Sequence, residues 1–227
     1  MLRRDRRPLQ DRPSTALITR RHNNRLGAAY SSLDAFWNAR RSAVSDAGQG
    51  ATIRRDAHTV LLFDDLLSEC LVNDFTSTPE QLLDAVLQYT TGGGTNFTAA
   101  IRAAQTQMER HWSTERTPVV VFLSDGESEI SDDVVQDLCL RSIALGKPLS
   151  FHAVAFGPYN RVMRRMAQVA IDVQSRAPPD PMTQVPTSSF AEALDSIQLA
   201  ETFLSIADSL RKTRGSLLLS EQQRNYI

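Results

Sequence analysis

The sequence has little cysteine, little histidine and no long apolar run. Its 227 residues include two cysteines, Cys70 and Cys139, and four histidines, with no CxxC pair. A disulfide framework and a cysteine–histidine zinc site are therefore not predicted. No segment reaches the roughly 18 apolar residues of a membrane span, and no secretory apolar leader occurs. These absences predict a soluble protein of a reducing, intracellular compartment, most simply the cytoplasm.

Basic and acidic side chains are nearly balanced, at 25 against 26, with a formal net charge of −1. That balance indicates no specific nucleic-acid site and no attraction to an anionic membrane. The charge is uneven, however, because the first 25 residues contain eight arginines but only Asp5 and Asp11 as acids. With almost no apolar periodicity, residues 1–25 are predicted to be a basic, disordered leader.

Helical and strand-like patterns alternate through the rest of the chain. Apolar residues at helical spacing predict helices, and short runs that are apolar at every position predict buried strands. Helices are predicted over residues 26–43, 79–89, 96–112, 160–175 and 197–213, with another between Ser131 and Gly146, and strands over 58–63, 69–75, 118–123 and 149–156. The alternation predicts an α/β fold with a doubly wound, mainly parallel, Rossmann-like sheet flanked by helices on both faces. The domain is expected over 26–213, with a tail over 214–227.

Local signals place several element ends. Thr78, Pro79 and Gln81 have the spacing of a capping box with proline at the first helical position. Ser131 is expected to cap the next helix and Gly146 to end it. Residues 177–187 contain four of the ten prolines and are predicted to form an irregular loop.

Ligands of doubly wound sheets bind beyond the carboxyl ends of the strands, so the loops there are the candidate site. Two of them are "GGGTNF" (92–97) and "LSDGESEISDD" (123–133). The Thr95 hydroxyl and the Asp125 carboxylate are the hard oxygen ligands that Mg²⁺ or Mn²⁺ prefers. The glycines of the first loop allow positive φ and a close backbone approach to a ligand.

At these loops the sequence resembles the von Willebrand factor A-type domain. "GGGTNFTAAI" resembles the second metal-site loop of that family, and "VVVFLSDGE" the strand and third loop of its metal-ion-dependent adhesion site. The likeness extends over roughly residues 25–213. It implies a Mg²⁺ or Mn²⁺ ion held by Thr95 and Asp125, which captures a carboxylate of a protein partner. It also implies that the turns are shaped by Gly93, Gly94, Ser124 and Gly126.

The first loop of the family, Asp-x-Ser-x-Ser after the first strand, is absent. The corresponding stretch is "STALITRRHNNRL" (14–26), in which "TALIT" is at best a remnant of that strand. Losing a carboxylate and two hydroxyls, with arginines nearby, predicts a degenerate metal site, because cations oppose a bound dication. The N-terminal strand is then lost, and a truncated or mis-spliced domain, part of a larger chain, would explain the ragged ends.

The predicted function is a protein-protein binding module, and not an enzyme. The alternative is a hydrolase or nucleotide-handling enzyme that uses the same carboxyl-end loops. "GGGTNF" before a helix has the backbone donors of a phosphate site, although it lacks the lysine of a P-loop. The acids of residues 125–133 are the other catalytic candidates. His152, inside a predicted strand, is expected to be a hydrogen-bonded core histidine.

Overall fold

The computed structural model describes residues 1–45, 56–90, 92–177 and 186–224, without the side chains of 43–45 and 213–224. Helices and strands alternate from the helix that begins at Phe97 onward, as the sequence predicts, whereas before it they occur in pairs. In chain order the elements are α1 (Thr15–Arg21), α2 (Arg25–Ser45), β1 (His58–Phe63), β2 (Leu67–Asp74), α3 (Pro79–Val86), α4 (Phe97–Arg110), β3 (Val119–Ser124), α5 (Asp132–Ala144), β4 (Ser150–Ala155), α6 (Arg161–Arg176), β5 (Ser189–Glu192) and α7 (Ser196–Arg224). Most of the predicted proline-rich loop, and the end of the chain after 224, lie outside the described residues.

Capping interactions begin three of the helices. Thr78 and Gln81 form the predicted capping box at α3. Asn96 accepts a hydrogen bond from the Ala99 N–H at α4, and Asn160 caps α6 in the same way. The prediction for α5 was only partly correct, because Ser131 occupies the cap position without a side-chain hydrogen bond. The helix start is favoured instead by the acidic residues of its first turn, because their negative charge interacts favourably with the positive end of the helix dipole.

The strands form two sheets. β3, β4 and β5 are parallel, in that order, while β1 and β2 form an antiparallel hairpin. Within the described ranges, no backbone hydrogen bond joins the two sheets. The α/β prediction is correct, but the parallel part is smaller than expected, since it has three strands. β4 is completely buried, as predicted. β1 and β3 were also predicted to be buried but are partly exposed, because each has one unpaired edge.

The segment "TALIT" is not a strand remnant but the start of α1. Tertiary packing decides this, because Ile18 is fully buried in a cluster with Tyr30 and Leu83. β5 was not predicted, because its four residues "SFAE" carry no apolar pattern. Pairing with β4 makes it a strand, with Phe190 opposite Ala153.

Helices cover both faces of the parallel sheet. One face packs against α4, α5 and α6 through side chains such as Phe151 and Leu138, and the other against α2 and α7 through Phe156 and Phe203. An aromatic contact connects the hairpin to this core, since the Phe63 ring stacks on Phe122 at 5.2 Å between centroids. Apolar packing therefore joins the sheets where backbone hydrogen bonds do not.

Both cysteines are free thiols, and Cys139 is buried in this core while Cys70 is half-buried in β2. Burial raises the pKa of Cys139 to about 12 and that of Cys70 to about 11. Both side chains are therefore protonated at neutral pH and unreactive as nucleophiles.

Among the described helices, none combines the length and apolar character needed to cross a bilayer.

His152 is the hydrogen-bonded core histidine that the sequence predicts. It is 3% exposed, with Nε2 lying 2.9 Å from Ser150 Oγ and Nδ1 lying 2.8 Å from Ser189 Oγ. Burial lowers its pKa from 6.5 to about 4. The folded protein therefore holds the ring neutral at pH 6, where the unfolded chain protonates it.

We predict that this histidine makes the protein acid-sensitive. His152 contributes fully to the free energy of unfolding above pH 6.5. As the pH falls towards 4 this contribution is lost, which lowers the free energy of unfolding by about 3 kcal/mol. Denaturant unfolding at pH 7, 6, 5 and 4 measures the loss. In His152→Gln the unfolding free energy should depend less steeply on pH. Part of the dependence should remain because burial also lowers the pKa of His58. An unchanged slope in the variant would contradict the assignment.

Candidate functional site

The two predicted site loops meet at the carboxyl ends of β1 and β3. The loop before α4 is held to the β1–β2 turn by a hydrogen bond from Asn96 N–H to the Asp64 carbonyl, at 2.9 Å. It touches the loop after β3 at Gly126, where an added Cβ would lie 3.0 Å from Thr95 Oγ1. Thr95 and the Ser124–Gly126 turn are thus neighbours in space, 30 residues apart in sequence.

The glycine loop encloses two carboxylates of the β1–β2 turn. The Gly92 N–H donates to the Asp64 carboxylate, which also accepts from Leu66 N–H at 2.7 Å. These backbone donors, Leu66 first and then Gly92, lower the pKa of Asp64. Gly94 has φ +88°, and a Cβ there would lie 2.1 Å from the Asp65 carboxylate oxygens. The loop therefore binds an anion, but the anion belongs to the protein itself.

The turn after β3 has a fixed conformation. Ser124 Oγ accepts a hydrogen bond from Gly126 N–H at 3.1 Å, and Asn160 Nδ2 donates to the Gly126 carbonyl at 2.9 Å. The Thr95 hydroxyl donates to the carbonyl of Gly94 at 2.7 Å. The turn-shaping roles of Ser124 and Gly126 stay a prediction, to which these hydrogen bonds are relevant.

Asp125 is held by two cationic groups of the same chain. The Met1 amino group lies 2.9 Å from Oδ1, and Arg25 Nη1 lies 3.0 Å from Oδ2. The Arg25 side chain is 9% exposed and that of Asp125 is 14% exposed, so water screens this pair weakly. Arg25 also donates a hydrogen bond to Asp5, with Nε lying 2.7 Å from Oδ1. This hydrogen bond lowers the pKa of Asp5 to about 2.

Residues 1–7, which we call the N-terminal strap, cross the carboxyl ends of all three parallel strands. After β3, the strap contacts Asp125 through Met1. After β4, the Arg6 guanidinium donates to the Phe156 carbonyl and lies 4.7 Å from the centroid of the Phe156 ring. After β5, Ser196 Oγ donates to the Arg7 carbonyl at 2.6 Å. The strap packs where its composition predicts disorder, because ion pairs and apolar contacts replace the missing apolar periodicity.

The strap also completes the N-terminus of α2. The backbone N–H groups of Arg25 and Leu26 donate to the carbonyls of Arg3 and Met1, each at 3.0 Å. These are helix-terminal donors that have no partner inside the helix. Sequence analysis missed this role. The available signal was Arg25 at a helix N-terminus, where a cation is unfavourable unless an anion such as Asp5 accompanies it.

A divalent cation does not fit this arrangement. Both Asp125 oxygens face cations, and the Thr95 hydroxyl is directed to a backbone carbonyl. Throughout the described ranges, no group of three or more His, Cys, Asp or Glu side chains is arranged to hold a metal ion. The assignment of Thr95 and Asp125 as ligands of Mg²⁺ or Mn²⁺ stays a prediction, and it would require Arg25 to withdraw.

The crevice at this edge has little room for a substrate. It measures about 90 Å³ and is lined by the turn after β3 and the loop after β4, including Asp125 and Asn160. That volume corresponds to about three water molecules. A larger groove of about 670 Å³ lies beside it at the start of α5, where Asp132 is paired with Arg165 at 2.6 Å. The acids Glu127 and Glu129 are exposed to solvent.

Comparisons with known proteins agree with the resemblance. The family model described as von Willebrand factor type A domain matches residues 15–127. No curated protein gives a significant match.

Three solved structures are similar in fold. BatB from Bacteroides thetaiotaomicron is 12% identical, with TM-score 0.57, over 95% of this chain and 93% of that one. The SpRpn10 VWA domain is 13% identical, with TM-score 0.53, over 79% and 82%. Proximal thread matrix protein 1 from the mussel byssus is 14% identical, with TM-score 0.52, over 80% of this chain but only 42% of its own length. At these identities the likeness concerns the fold.

We predict that Arg25 stabilises the protein and that metal does not. Arg25→Met leaves Asp125 and Asp5 without their shared cation and should cost about 3 kcal/mol of unfolding free energy. Denaturant unfolding measures the loss, with Arg102→Met on the surface of α4 as the control. Adding Asp125→Asn to Arg25→Met should restore part of it. Millimolar Mg²⁺ or Mn²⁺ should leave the wild-type melting temperature unchanged, and a clear rise would restore the metal site.

Neighbouring glycines provide a matched test of the loop. Gly94→Ala should destabilise the protein by about 1–3 kcal/mol, because the positive φ and the Asp65 carboxylate both oppose a Cβ. Gly93→Ala should be nearly neutral, since nothing lies within 4 Å of its Cβ position. Thermal unfolding of both variants measures the difference. Equal losses would show that the loop does not have this conformation.

Proposed function

Because the chain belongs to the von Willebrand factor type A domain family, we propose that it is a protein-binding module acting through the carboxyl-end face of its sheets. This face is formed by the loops after β1, β3, β4 and β5 and by the strap. Domains of this family are consistent with protein interaction, and the chemistry of this face supports that role here.

The observation that carries the proposal is a set of exposed apolar side chains around this face. Leu66 in the β1–β2 turn is 79% exposed, and Tyr159 after β4 is 85% exposed. Leu194 and Ile197, after β5, are 51% and 63% exposed. We call these four residues the apolar rim. Large apolar groups in water on loops around one edge favour an interaction surface there.

The backbone of Tyr159 adds to this argument. Its φ is +63°, in the left-handed region that residues other than glycine seldom adopt. Such a conformation costs about 1 kcal/mol or more and persists where the surroundings impose it. The neighbouring Asn160, bonded to the Gly126 carbonyl and to α6, fixes the loop that displays the ring.

The enzyme alternative has less support. The crevice of about 90 Å³ is small for a substrate, and Asp125 is already engaged by cations. In the larger groove of about 670 Å³, Asp132 is paired with Arg165. Asp64 accepts backbone hydrogen bonds instead of facing an open cleft. Capture of a partner carboxylate through Mg²⁺ or Mn²⁺ at Thr95 and Asp125 would first require the strap to leave. Binding through the apolar rim requires no such rearrangement.

We also propose an intracellular location. Cys70 and Cys139 are unpaired, the first half-buried and the second buried. Free buried cysteines are common in reducing compartments, where disulfides seldom form. Measuring the distribution of the tagged protein between cytosol and medium would test this proposal.

Variants of the apolar rim test the binding function. Leu66→Ser with Tyr159→Ser should reduce capture of a partner on the immobilised protein by about tenfold or more, because apolar anchors dominate interface energy. Mass spectrometry of the retained proteins measures how much of the partner each variant captures. The control is Val72→Ser with Leu140→Ser, which removes two exposed apolar groups from β2 and α5.

The proposal requires that one partner is lost with the rim variant and kept with the control. If both variants retain it equally, this face is not the interface. Turnover of ATP or of a generic ester by the wild-type protein would favour the enzyme alternative.

A further inference from the structure

The strap contains more arginines than it uses to hold itself in place. Arg6 binds the Phe156 carbonyl. Arg3, Arg4 and Arg7 are exposed, and their guanidinium groups make no hydrogen bond or ion pair with the part of the chain that the structure describes. Three cations therefore project into solvent from one short segment.

The backbone that carries these arginines is fixed at both ends. The Arg3 carbonyl accepts from the Arg25 N–H at 3.0 Å, and the Arg7 carbonyl accepts from Ser196 Oγ at 2.6 Å. Between them, Asp5 is bound by Arg25. The positions of the arginines are thus set before any ligand arrives, which reduces the ordering cost of binding.

Apolar groups lie beside these cations. Leu2, next to Arg3 in the strap, is 51% exposed. Ile197 adjoins Ser196, the residue that holds Arg7. The strap therefore carries guanidinium groups together with the exposed Leu2, and it is bound next to Ile197 of the apolar rim.

We infer that the N-terminal strap is a recognition surface for an acidic segment of a partner protein that also carries apolar side chains. This inference rests on the proposed function and states the chemistry of the partner. Guanidinium groups bind carboxylates through paired, charge-assisted hydrogen bonds, and need no metal to do so. Leucine or aromatic side chains of the same segment would cover Leu2 and Ile197.

The surroundings favour an acidic peptide over a nucleic acid. Glu127 and Glu129 are exposed on the loop after β3, and Asp65 is exposed on the β1–β2 turn. These carboxylates repel any anionic ligand, so the apolar side chains beside the arginines are what separate a peptide from a nucleic acid. Nucleic-acid binding depends mainly on neutralised phosphates, whereas apolar anchors suit a protein segment.

The experiment measures binding of a fluorescein-labelled twelve-residue peptide that alternates glutamate and leucine. Fluorescence anisotropy should show saturable binding that weakens as salt is added. Arg3→Gln, Arg4→Gln and Arg7→Gln together should weaken it by tenfold or more. The matched control is Arg102→Gln, Arg110→Gln and Arg176→Gln, which removes the same charge from α4 and α6. A glutamine–leucine peptide and a single-stranded DNA of equal length complete the set.

Several results would overturn the inference. These are absence of saturable binding to the acidic peptide, equal weakening by the two triple variants, and tighter binding of the DNA than of the peptide. The apolar-rim capture experiment is independent of them. A partner lost with the rim variant but unaffected by the strap variant would leave the proposed function standing and this inference rejected.

Discussion

The ion pairs that Arg25 makes with Asp125 and Asp5 organise the carboxyl-end edge of this domain. Arg25 begins α2, Asp125 follows β3 and Asp5 lies in the strap, so one side chain connects three separate parts of the chain. Removing charges from water is costly, and these pairs offset that cost only because each carboxylate receives well-placed donors. The strap, the α2 N-terminus and the small crevice all depend on this arrangement.

Sequence predicted those parts of the fold whose signals are local. The strand "HTVLLF" and the Thr78 capping box are specified by their own residues, and both were predicted correctly. α1 and β5 were not, because Ile18 and Phe190 acquire their structure from distant neighbours, namely the α2–α3 cluster and β4. Local pattern carries no information about such partners.

For the candidate site, too, the sequence predicted the loops that carry a local motif but not the partners that come from distant parts of the chain. Gly94 and Thr95 could be assigned to one site with the turn at Gly126, because the family resemblance links the two loops. In the structure these loops do meet. The cationic partners of Asp125 could not, since arginines in a polar segment have the composition of a solvated tail. Their ion pairs depend on where the fold places Asp125, which lies 100 residues beyond Arg25.

The division into two sheets also bears on how the chain folds. The β1–β2 hairpin pairs residues close in sequence, such as Phe63 and Leu67, whereas β3, β4 and β5 pair across intervals of more than 30 residues. Loop closure makes distant contacts slow to form, so we expect the hairpin to precede the parallel sheet. With stacking of Phe63 on Phe122 as a link between them, docking of the hairpin on the completed sheet becomes a late event. The molecule would then assemble as two cooperative units joined through an aromatic contact.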